Sequence, residues 1–178
     1  MCIRDRKNSE GFVAKYLDDK AMSQPAAAIY MAAKEISRLS AHAGKMIEAM
    51  KNAIEKRNIT DIRDKYVDEH DKVKELQDII VDFITKLISS GNLTEKQAEQ
   101  AAGLMVVSNN IERIADRCDE VDGLYKKILD NGQLLSDAAI TDLTACMDMT
   151  EKLFSESMNA IITVSYTHLR AHETSLHL

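Results

Sequence analysis

The stretch LMVVSNNIERIADRCDEVDGLYKKI, residues 104–128, decides the fold. Leu104, Val107, Ile111, Ile114, Cys118, Val121, Tyr125 and Ile128 recur at alternating intervals of three and four. A helix turns about 100° per residue, so this spacing holds all of them on one stripe. A half-buried strand would alternate at every second residue instead. The stretch therefore reads as a long amphipathic helix with one buried face.

Working outward, Thr94 and Gln97 have capping-box spacing and open this helix, and Gly132 closes it. Upstream, Ile62, Tyr66, Val73, Leu76, Ile80, Phe83 and Leu87 form a second stripe, interrupted by Glu69. That helix is predicted to start at Thr60, an N-cap residue, and to stop at Gly91. A first helix is predicted from Pro25 to Arg57, with Ile29, Ala33, Ile36, Ala43, Ile47, Met50 and Ile54 facing inward. A fourth should follow Ser136 and carry Ile140, Leu143, Met147, Phe154, Met158 and Ile161. Turns this short make neighbouring helices antiparallel. The expected fold is an all-α antiparallel helical bundle.

Composition agrees. One proline and six glycines in 178 residues, with 4% aromatics, leave mostly straight-chain residues that lose little rotamer freedom in a helix. The net charge of -6 repels phosphate backbones, which argues against nucleic acid as a partner. No apolar run approaches the roughly 20 residues of a membrane span, and no secretory signal pattern opens the chain. Cys2, Cys118 and Cys146 are widely spaced and odd in number, which suits reduced thiols better than a disulfide frame or a zinc site.

Both ends read as foreign to the rest. Residues 1–6 (MCIRDR) and the tail 164–178 (VSYTHLRAHETSLHL) look like adapter-derived sequence, so His168, His172 and His177 are not taken as metal ligands. Residues 7–24 are expected to be a connector and residues 25–163 the bundle.

One polar feature stands out. Glu112 and Asp116 are one turn apart, Asp119 lies close to the same direction, and Asn109 joins the stripe. Such an oxygen ladder could hold a weakly bound divalent metal, Mg, Mn, Fe or Zn. The same arithmetic places it roughly opposite the apolar seam, so it also reads as a solvated acidic face. Neither His42 nor His70 follows a glutamate by three, so the Glu-x-x-His motif of di-iron bundles is absent. No glycine-rich phosphate loop and no nucleophile–base set is implied, which points away from an enzyme: no catalytic or cofactor-binding residue is assigned.

Residues 110–116 (NIERIAD) resemble the signature of the PhoU family. Residues 15–18 (KYLD), Pro25-Ala26 and residues 34–36 (KEI) resemble the junction that follows the membrane domain of bacterial sodium/phosphate cotransporters, and Leu76-Gln77 with Ile80, Phe83 and Leu87 resembles the next helix there. The resemblance spans about Phe12 to Ile162. It implies one three-helix repeat plus the first helix of a second, with metal at Glu112 and Asp116. The family's acidic pair on the second helix falls on His70 and Lys74 here, where a lysine opposes a cation, with Asp71 or Glu69 as the acids that could substitute. The implied role is a cytoplasmic regulatory module at the inner membrane, behind a transport domain missing upstream. Phosphate would be sensed through metal, and a homodimer is a further implied partner. A stand-alone phosphate-signalling adaptor and a structural dimerisation module are the alternatives.

Overall fold

The computed structural model describes the backbone of residues 13–57 and 63–175, and the side chains of these residues other than 63–65, 162 and 164–175. A short 3-10 helix, Asp19–Ser23, leads into four α-helices: α1 (Pro25–Glu55), α2 (Arg63–Ser89), α3 (Glu95–Asp130) and α4 (Asp137–Ser175). The expected all-α bundle is observed, and among the described residues there is no strand.

The local signals act where the sequence places them. Thr94 Oγ1 accepts from the Gln97 amide at 3.3 Å, and Gln97 Oε1 accepts from the Thr94 amide at 3.0 Å, which closes the capping box on α3. Gly91 (φ +70) and Gly132 (φ +67) take the left-handed turn after α2 and α3. Ser136 Oγ accepts from the Ala139 amide at 3.2 Å and starts α4. The first helix ends at Glu55, before the predicted Arg57, whose φ of 52 breaks the helical path. Thr60 and residues 1–6 lie outside the described residues. The backbone of α4 continues through the tail to Ser175, since neither glycine nor proline follows Gly132.

The helix α1 is the hub. It packs against α2, α3 and α4, while α2 and α3 also pack on each other. One apolar stripe cannot serve three neighbours, so a second register is buried beside the predicted one: Ala28, Ala32, Leu39, Met46 and Ala53. The seam of α3 also differs from the expected one. Ala101, Ser108 and Ala115 are buried, whereas Val121 is 41% exposed and Ile114 half-buried. Small residues let α3 lie close to both α1 and α2, and the helix is rolled toward that angle between them.

The last helix packs mainly on α1. It is tied to α1 by Lys51 with Asp148, and to the turn just after α1 by Arg57 with Asp137. No described side chain of α4 is fully buried. Ala139, Leu143, Cys146, Thr150, Leu153, Ser157 and Ala160 follow one another at intervals of four and three, without a charge. Leu153 is 65% exposed on this stripe. A contiguous uncharged strip of this length promotes association. Sedimentation should therefore show a concentration-dependent increase in mass that Leu143→Glu with Leu153→Glu removes. A monomer at all concentrations would contradict it.

Candidate functional site

The capping box and the short 90–94 turn set α3 antiparallel to α2, and this brings two polar flanks together. From α3 come Asn109, Glu112 and Asp116; from α2 come His70, Lys74 and Gln77. Gln77 Nε2 donates to Asn109 Oδ1 at 2.9 Å. His70 Nε2 stands 3.1 Å from Asp116 Oδ1, and Lys74 Nζ stands 3.6 Å from the same oxygen. Glu112 is half-buried on this flank, and Asp119 is exposed. The roll of α3 explains why the stripe abuts α2 instead of lying opposite the seam. Among the described residues, no group of three or more His, Cys, Asp or Glu could hold a metal ion.

The hydrogen bond from His70 holds the Asp116 carboxyl below its ordinary value of 3.8; partial burial opposes this, and Lys74 adds to it. On the other side of α2, Glu69 reaches α1. Its Oε2 lies 2.5 Å from His42 Nδ1, and its Oε1 lies 3.2 Å from Lys45 Nζ and 3.5 Å from Lys72 Nζ. Burial raises the Glu69 carboxyl, but the hydrogen bonds from His42 and Lys45 outweigh it, and the net position is below 4.5. Adjacent residues thus tie α2 to both partners at one level. His42 is a packing residue that bridges α1 to α2.

These shifts have a signed consequence. Both carboxyls give up their proton more readily in the folded than in the unfolded chain. Each therefore adds stability above its ordinary value, 4.5 for Glu69 and 3.8 for Asp116, and loses that contribution as pH falls through the lower folded value. The urea midpoint should fall as pH drops below 4.5, and Glu69→Gln should flatten the fall. An unchanged pH profile in Glu69→Gln would show that the bridge to His42 does not form.

A second polar centre escaped the sequence reading. Glu35 is fully buried, and its Oε2 accepts from the backbone amides of Lys15 at 3.1 Å and Tyr16 at 2.7 Å. Arg38 donates to the other carboxylate oxygen and to the Val13 carbonyl, the latter at 3.5 Å. Lys34 Nζ lies 5.2 Å from the centre of the Tyr16 ring, within cation–π range. The strap of residues 13–18, within the expected connector, is thus fixed to α1. The signal was available: Glu35 falls in register with Ala28, Ala32 and Leu39, an acid among core positions.

Two other titratable groups in the core are shifted away from ionisation. Burial pushes the Cys118 thiol up to about 11 and raises the Tyr66 hydroxyl well above its ordinary value.

Residues 36–121 match the family model described as PhoU domain. The matched span runs from Ile36 in α1 through α2 to Val121 in α3, and so contains the contacts of His70 and Lys74 with Asp116 and of Gln77 with Asn109. No curated protein and no solved structure matches the chain.

Proposed function

We propose that the PhoU domain formed by residues 36–121 serves as the cytoplasmic regulatory module of a sodium-dependent phosphate transporter. The domain family is regulatory and non-enzymatic, and it suggests a role in phosphate homeostasis. Among the described residues no helix is long and apolar enough to cross a membrane, so on this reading the transport residues belong to another part of the protein. The observation that carries the finer reading is the Glu35 strap. Chain entering from the N-terminal side is clamped to the hub helix by a buried carboxylate before α1 begins. A clamp there lets movement in an attached domain reach α1, and through α1 the other three helices.

The uninterrupted genomic reading frame tests this. Segments of about 20 apolar residues upstream of residue 13, in a number that leaves the strap on the cytoplasmic side by the distribution of Lys and Arg, are expected. A frame that opens just before the strap with no such segment would overturn the transporter reading and leave the regulatory one standing.

A further inference from the structure

The contact between α2 and α3 is a ladder of donors against acceptors. On α2, His70, Lys74 and Gln77 repeat at intervals of four and three, one face of the helix. All three present N–H groups to α3. Opposite them, Asn109 and Asp116 present oxygens, with Gln77 on Asn109 and both His70 and Lys74 on Asp116. The order is reversed along the two helices, as antiparallel packing requires.

We infer that this polar clasp stands where a divalent metal would otherwise bridge α2 to α3: the Lys74 ammonium and the His70 imidazole, not a metal ion, compensate the Asp116 carboxylate. The chemistry of the donor set carries the inference. A hard divalent cation needs several oxygen ligands converging from both helices. The α2 side supplies an ammonium, which has no lone pair to give and repels a second cation at short range. Glu69, beside His70, is not available to complete a shell, because it is turned to α1 and held by His42, Lys45 and Lys72. Asp68 is paired with Lys72 at 2.5 Å. The α2–α3 joint is therefore metal-independent, and its stability does not follow the supply of divalent ions. This inference rests on the clasp geometry and stands apart from the transporter reading.

Thermal melts of the full chain in EDTA and in millimolar Mn²⁺ test it, with His70→Glu/Lys74→Glu as the reversing variant. The natural chain should melt within about 1 °C of the same temperature in both. The variant places two carboxylates opposite Asp116, with Glu112 one turn away on α3. It should be less stable in EDTA, and Mn²⁺ should raise its melting temperature saturably by at least about 3 °C. If the variant is unfolded in EDTA, refolding on Mn²⁺ addition, followed by helical circular dichroism, is the same readout. Lys74→Ala, a milder change, should show a smaller Mn²⁺ response. Saturable stabilisation of the natural chain by Mn²⁺, lost in Asp116→Ala, would overturn the inference. So would a reversing variant that Mn²⁺ neither stabilises nor refolds.

Discussion

Glu35→Ala is expected to lower the unfolding free energy by about 3–5 kcal/mol, the range for removing one partner of a buried charged network. The substitution leaves the amides of Lys15 and Tyr16 without their acceptor and Arg38 without its carboxylate. Single domains are stable by only about 5–15 kcal/mol in total, so this loss could consume much of the margin. Urea unfolding gives the size, and hydrogen exchange at the two amides gives the place: both should lose protection while the centre of α2 keeps it. Glu35→Gln keeps an acceptor oxygen and should cost less. A loss below about 1 kcal/mol for Glu35→Ala would mean that the strap contributes no more than an exposed contact.

The second large effect belongs to the hub. Leu39 is completely buried in α1, and Leu39→Ala should cost about 2–5 kcal/mol through lost transfer energy and the cavity left behind. The roll of α3 supplies the contrast. Ala115 is completely buried, so Ala115→Leu should overpack the interface at a cost of about 1–3 kcal/mol. Val121 continues the apolar periodicity but is partly exposed, so Val121→Ala should stay within about 0.5 kcal/mol. If Val121→Ala were costly and Ala115→Leu silent, α3 would face its neighbours as the bare periodicity of residues 104–128 suggests.

Those two residues also show how far the sequence could be read. Periodicity identified each helix, and the turn residues set the C-terminal end of α2 and both ends of α3 closely, because capping and left-handed glycines are local chemistry. The roll of a helix is not local. It depends on which neighbours it serves, and α3 rests on two of them at once. Ala101, Ser108 and Ala115 are buried for that reason, although no hydropathy pattern singles them out. The same limit applied at the polar flank. The spacing of Asn109, Glu112, Asp116 and Asp119 was legible, but spacing could not show what lay opposite. The resemblance put His70 and Lys74 in place of the family's acidic pair, and packing shows that they and Gln77 meet the stripe while Asp119 is exposed. Glu35 was legible in principle, as an acid in a core register. Its partners, backbone amides 19 and 20 residues away, carry no sequence signature.

The central proposal is that the segment matching the PhoU domain model, residues 36–121, regulates a phosphate transporter carried in the same protein. The most direct measurement is labelled-phosphate uptake in cells carrying the complete gene, compared with the same gene lacking the codons for α1 to α3. With the transport protein present at equal abundance in both, the account predicts that transport persists but no longer adjusts when external phosphate is raised. Uptake that adjusts equally with and without the domain would contradict the account.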